Sequence, residues 1–150
     1  MTGLNQARIL ALAIPAALLG GAYIAQYGFG LFPCEMCWWQ RYPHFAALAL
    51  ALVAWIAPMP RVWVVLAGLA VITSGLIGGF HAGVEYGWWE GITNCTTQQG
   101  AGNGLDFSEV QVVRCDAAPW DLFGISLAGW NFLISCIGGG AIMALGAYKK

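Results

Sequence analysis

The sequence predicts an all-α membrane protein, a four-transmembrane-helix bundle with two outer loops. Three observations carry this. Of 150 residues, 59% are hydrophobic and 9% charged, with a mean hydropathy of +0.69, against roughly 45–50% apolar residues in a soluble domain. Four long apolar stretches recur along the chain. The carboxylates Glu35, Glu85, Glu90, Asp106, Glu109, Asp116 and Asp121 all fall between those stretches, as expected where a charge at bilayer depth is costly. One domain accounts for the length. No basic patch suggests nucleic acid, so the lipid bilayer is the expected surrounding.

The first span covers residues 9–27, which meets the roughly 17–25 residues that a crossing helix needs. A cleaved signal peptide is the competing reading, since Arg8 precedes the run. The run is long and its end carries no obvious Ala-x-Ala cleavage site, so it is expected to be retained. Pro15 is a candidate kink. The second span, residues 42–57, is stopped by Pro58-Met59-Pro60, because proline removes a helical donor and disfavours helical geometry just before it. Its core is short, and Cys37 to Arg41 can supply its first turn, where Pro43 is tolerated. The third span, residues 62–81, follows a tight turn carrying Arg61. The fourth covers residues 122–147, with Lys149 and Lys150 beyond it.

Orientation follows from the cations, because short cytoplasmic loops collect Lys and Arg. Arg8, Arg61, Lys149 and Lys150 fall on one side, and Arg41 and Arg114 on the other. Both termini are therefore expected inside, with residues 28–41 and 82–121 facing out. In a bacterium the outer side of the inner membrane is the periplasm, an oxidising space where disulfides persist. Gly75 and Gly79, and the run Gly138-Gly139-Gly140, are read as close-packing positions between helices. Trp38, Trp39, Trp88, Trp89 and Trp120 cluster at the outer boundary, where aromatic rings settle at headgroup depth.

Four of the five cysteines lie in the outer segments. Cys34 and Cys37 form a Cys-x-x-Cys pair at a helix start, four residues before the cation of Arg41, a setting that favours a thiolate and an exchangeable disulfide. The second outer segment holds Cys95 and Cys115, separated by the glycine-rich residues 100–104 and by Asp106-Phe107-Ser108-Glu109, a capping sequence for a short helix reaching toward Cys115 that Val112-Val113 weakens. Four cysteines allow three pairings, and sequence does not choose among them. Two permanent bridges are one reading, but a bridge across two residues restrains little chain entropy. A four-thiolate zinc site is another; the second pair lacks the close spacing of a zinc knuckle, and no metal is expected. Haem attachment fails because Trp38, not His, follows Cys37. Cys136, mid-span, is read as a small hydrophobe.

One helical turn past Cys37, Arg41 is placed to stabilise a thiolate or polarise a ligand oxygen. His81, at the outer end of the third span, can reach the same depth. His44 is a weaker candidate on the face of Arg41.

With Pro33-Cys34-x-x-Cys37 and Arg41 in the first outer loop, His81 ahead of Cys95, and Cys115 followed by Trp120-Asp121-Leu122-Phe123-Gly124 and Trp130, the chain resembles the bacterial inner-membrane disulfide bond formation protein B (DsbB) family over nearly its whole length. Bundles of the vitamin K epoxide reductase type are similar in chemistry, but there the loop cysteines come before the membrane Cys-x-x-Cys. The resemblance implies an enzyme that passes electrons from a DsbA-like periplasmic dithiol protein of thioredoxin fold to a membrane quinone, ubiquinone or menaquinone. It implies that Cys95 forms the mixed disulfide with the partner, that Cys115 exchanges with Cys34, and that Cys37 is left as the thiolate facing the quinone, with Arg41 and His81 on the quinone oxygens. Gln40 stands where the family commonly has Glu, and the loop between Cys95 and Cys115 is shorter than in the best-known members. The alternative is a small transporter or structural bundle with stapled loops, disfavoured because no carboxylate falls inside a predicted span.

Overall fold

The computed structural model describes residues 3–93, 97–99 and 111–148. Its elements in order are α1 (Gly3–Gly28), α2 (Glu35–Ile56), α3 (Pro60–Glu85), β1 (Thr97–Gln99), β2 (Gln111–Val113), β3 (Asp121–Leu122), β4 (Ile125–Ser126) and α4 (Leu127–Ala147). The helices form a ring in chain order: α3 packs most extensively against α4 and α2, and α1 closes the ring against both of them. Among the described residues, α1, α3 and α4 are long and apolar enough to cross a membrane, which makes the chain a multi-pass protein. The 22-residue α2 is not among them, because its first half carries Glu35, Gln40, Arg41 and His44.

Close approach of α3 and α4 depends on glycine. A Cβ at Gly139 would lie 2.8 Å from the Gly68 carbonyl oxygen and 2.6 Å from Ile72 Cγ1, and one at Gly75 would lie 2.9 Å from both Ser135 Cβ and Cys136 Sγ. Gly79 faces the Phe132 ring and Gly138 faces Ile14, whereas Gly140 meets nothing within 4 Å. One core cluster of the bundle is correspondingly filled with small side chains, Ala7, Ala11, Ala47, Ala51, Ala54 and Ala67, around Val64, Val71 and Ile142.

The helix ends differ from the sequence expectation in ways that shape the site. Helix α2 starts at Glu35, two residues before the expected first turn, because Cys34 caps it: its backbone is extended (φ −76°, ψ 176°) and its sulfur accepts the Cys37 N–H at 3.3 Å. Pro43 consequently sits in the helix interior rather than its first turn. Helix α3 continues past His81 to Glu85, so the expectation that every carboxylate falls outside the apolar helices does not hold for Glu85.

Helix α4 starts at Leu127 rather than near Leu122. Asp121–Leu122 instead pairs with Ile125–Ser126 in a two-residue hairpin, whose turn residues Phe123 (φ 55°) and Gly124 (φ 76°) are both left-handed, the twist that tight hairpins prefer. Ser126 then caps α4 by accepting the Gly129 N–H at 3.1 Å. Before Cys115 the chain is strand, not helix: β2 pairs antiparallel with β1, Thr97 opposite Val113, which suits the β-branched Val112-Val113 pair. Cys95, the glycine-rich stretch and the capping sequence at Asp106 to Glu109 lie outside the described residues.

Candidate functional site

The dithiol is built by the capped start of α2. Cys34 and Cys37 are both free, with their sulfurs 3.0 Å apart. That contact can be written with either thiol as donor, but only Cys34 also receives the Cys37 N–H and approaches His81 Nε2, at 3.7 Å. Negative charge therefore belongs on Cys34, and Cys37 is the donor. Hydrogen bonding from the Cys37 thiol, helped by His81 and opposed by burial, pulls the Cys34 thiol down to about 5. His81 is 3.7 Å from Glu85 Oε1, one helical turn further along α3, and both side chains are 3% exposed.

Behind the dithiol runs a buried chain of polar side chains contributed by three helices. Gln40 on α2 meets His81 Nδ1 at 2.8 Å and the Met36 carbonyl at 3.2 Å. Its oxygen accepts from Asn131 of α4 at 2.9 Å. Asn131 also contacts Ser74 of α3 and, through its oxygen, His44 Nε2 at 3.0 Å and Ser135 Oγ at 2.9 Å. A polar group in a low-dielectric interior is tolerated when its hydrogen bonds are made, which explains why Gln40 and His44 sit inside an apolar bundle.

Arg41 is 6% exposed and faces α1. It donates to Gln26 Oε1 at 2.7 Å and to the Ala22 carbonyl at 3.3 Å, and its guanidinium lies 4.8 Å from the centroids of both the Tyr23 and Trp38 rings. Hydrogen bonds and cation–π contacts replace a carboxylate partner here.

These groups share a cavity of about 210 Å³. Its polar lining is formed by Cys37, Gln40, Arg41, His44, His81, Glu85 and Asn131. The walls are apolar and come largely from α1, including Leu18, Leu19, Ala22 and Ala25, with Leu31, Phe32 and Trp130. Cys34 is not in the lining. It packs instead in a buried cluster with Met36, Val84 and Cys115, and Cys115 is disulfide-bonded. Cys34, Cys37 and His81 also place their donor atoms within 4.8 Å of one another, a different potential metal set from the four thiolates weighed on sequence.

Of the sequence candidates, Cys34, Cys37, Arg41, His81 and Cys115 are thus brought to one end of the bundle, and Cys95 lies outside the described residues. His44, the weaker candidate, is part of the same polar chain. Glu85, Gln26, Ser74 and Asn131 were missed. Glu85 had a signal, four residues after His81 and so on the same helix face. Gln26 had a fainter one, as an isolated polar residue near the end of an apolar span.

The family profile described as disulfide bond formation protein DsbB matches residues 5–145. The chain is 30% identical over 155 residues to disulfide bond formation protein B of Verminephrobacter eiseniae (strain EF01-2), covering 91% of this chain and 82% of that protein. It is 29% identical over 147 residues to disulfide bond formation protein B of Azoarcus sp. (strain BH72), covering 87% and 83%. To the uncharacterized protein RP370 of Rickettsia prowazekii (strain Madrid E) it is 23% identical over 135 residues, covering 85% and 78%. No solved structure matches the chain.

Proposed function

The chain belongs to the disulfide bond formation protein DsbB family, and on that premise we propose that it oxidises a DsbA-like periplasmic dithiol protein and passes the electrons to a membrane quinone. The observation that carries this reading is the division of the dithiol. Cys34 packs with Cys115, while Cys37 lines the apolar cavity.

In this reading the partner's thiolate attacks a Cys95–Cys115 disulfide at Cys95, and Cys115 leaves as a thiolate. Cys115 attacks Cys34 of an oxidised Cys34–Cys37 pair, and Cys37 leaves as a thiolate at the cavity. The partner's second thiol displaces Cys95, which returns to Cys115 and frees Cys34. The partner has then lost two electrons and two protons, and Cys34 and Cys37 hold them as a dithiol. A quinone supplies the two-electron, two-proton acceptor that restores the Cys34–Cys37 disulfide.

The cavity suits such a ring, with apolar walls from α1 and hydrogen-bonding groups from α2, α3 and α4 in its lining. Arg41 is assigned to its oxygens, with His81 beside it in the lining and turned toward Cys34 by Gln40. Cys34, with its sulfur held low by Cys37 and His81, is the better leaving thiolate toward Cys115.

The same reading takes α2 as the fourth crossing. Its polar residues Gln40, Arg41 and His44 are buried in the bundle, whereas its exposed large residues are Tyr42, Phe45, Leu52, Trp55 and Ile56, an apolar face toward lipid. With both termini cytoplasmic, Arg8 and Arg61 meet the positive-inside pattern, and the dithiol lies at the periplasmic end of a bacterial inner membrane. The test is reconstitution: the purified protein should reoxidise a reduced thioredoxin-fold partner only with quinone present, and Cys37→Ser should abolish turnover. Quinone reduction undiminished in that variant would refute the assignment.

A further inference from the structure

Three backbone carbonyls, of Met36, Ser74 and Gln40, fix the directions of the hydrogen bonds in the polar chain. A carbonyl only accepts. The Gln40 amide nitrogen must therefore be the atom facing Met36 O at 3.2 Å, and its second hydrogen points at His81 Nδ1, 2.8 Å away. Nδ1 accepts, so it carries no proton. In the same way the Asn131 nitrogen faces the Ser74 carbonyl at 3.2 Å and Gln40 Oε1 at 2.9 Å. That leaves Asn131 Oδ1 to accept from Ser135 Oγ and from His44 Nε2. The Ser74 hydroxyl donates to the Gln40 carbonyl at 2.7 Å. Turning the Gln40 amide would set its oxygen against the Met36 carbonyl, and turning the Asn131 amide would set its oxygen against the Ser74 carbonyl.

We propose that the Gln40–Asn131 amide pair is a tautomer lock that holds both histidines with the proton on Nε2, aiming the His81 N–H at Cys34 and denying that nitrogen to a metal ion. Gln40 and Asn131 act here as positioning residues. A neutral His81 then presents its Nε2 N–H to the Cys34 sulfur, with Glu85 Oε1 at the same distance of 3.7 Å. His44 is left with a bare Nδ1, buried and without a partner, in a residue of the cavity wall. Such a nitrogen accepts from a hydroxyl but has nothing to offer a carbonyl oxygen. The value of the lock for thiol exchange rests on the oxidase reading; the lock itself rests on hydrogen-bond direction alone.

The metal consequence is specific. Cys34, Cys37 and His81 are three close donors, and two thiolates with an imidazole are zinc ligands. Zinc on His81 Nε2 would move the ring proton to Nδ1, where it would meet the Gln40 N–H head on. The lock thus keeps a reactive dithiol from being captured as a zinc site.

The experiment uses the full chain, reduced and reconstituted, with its histidines labelled with nitrogen-15. His81 and His44 should both show an unprotonated Nδ1 and a protonated Nε2 at neutral pH. A proton on His81 Nδ1 overturns the proposal without any variant. Gln40→Glu supplies an acceptor for a proton on Nδ1, so the reduced variant should bind zinc at least about tenfold more tightly than the parent, the scale on which such outer-sphere partners act. Equal affinity, or tight binding that survives Cys34→Ala, overturns it. Neither readout involves quinone or the thiol partner, so failure here leaves the oxidase reading standing, and loss of quinone-dependent turnover leaves the lock standing.

Discussion

Arg41 Nη1 donates to Gln26 Oε1 at 2.7 Å, tying the helix that carries the dithiol to the helix that walls the cavity. A hydrogen bond to a charged group contributes about 1.5–3 kcal/mol. Gln26→Leu should lower unfolding stability by that amount in denaturant titration of the solubilised protein. Arg41→Lys keeps the charge but loses the planar stack between Tyr23 and Trp38. On the proposed function its KM for quinone should rise about tenfold, the factor that about 1.4 kcal/mol of lost binding gives, with a smaller change in kcat. A KM unchanged in Arg41→Lys would remove Arg41 from the quinone site.

Cys34 should titrate far below an ordinary thiol. In the reduced protein, thiolate absorbance should appear with a midpoint near 5. In Cys37→Ala the midpoint should rise, because the Cys37 thiol is the largest cause of the depression. The charged and titratable groups facing Cys34 are Cys37 from α2 and His81 and Glu85 from α3. The sign for stability follows from a depressed folded value: this contribution is complete above the unfolded thiol's value of 9.0, declines as pH falls, and is gone below about 5. A midpoint near that of a free thiol would contradict the geometry.

Cys34 and Cys115 share one buried cluster. With Cys37→Ala, Cys34 lacks its neighbour and should exchange into the disulfide that holds Cys115. Peptide mapping after acid quenching should then recover Cys34 joined to Cys115. Recovery of Cys34 joined to Cys95 instead would reverse the roles proposed for the loop pair.

Gly139 and Gly140 are adjacent in sequence and opposite in consequence. Gly139→Ala drives a Cβ to 2.8 Å from the Gly68 carbonyl oxygen, while Gly140→Ala meets nothing within 4 Å. Overpacking of this kind is destabilising by roughly 1–3 kcal/mol, whereas alanine is the better helix former by about 1 kcal/mol at an open site. Thermal unfolding should therefore separate the two variants in opposite directions from the parent. Similar melting of both would mean that α3 and α4 do not approach as closely as the structure has them.

Much of this architecture was legible because hydropathy acts on each segment by itself. The four apolar runs, the prolines between α2 and α3, and the paired glycines of α3 each announce a local preference. The Cys34-x-x-Cys37 pair with Arg41 was legible for the same reason, since all three lie within three turns of chain. Helix ends were less so. The start of α4 moved from Leu122 to Leu127 because a hairpin with two left-handed residues, Phe123 and Gly124, competes with helix at that point, and apolar content does not distinguish the two.

Local sequence is enough to specify apolar helices and a dithiol with a cation one helical turn beyond it. Which polar groups meet is a matter of tertiary packing. Gln40 reaches His81 across 41 residues, His44 reaches Asn131 across 87, and Asn131 reaches Gln40 across 91. Those meetings depend on how each helix is rotated about its axis. That rotation is set by where glycines let backbones approach, and no local pattern encodes it.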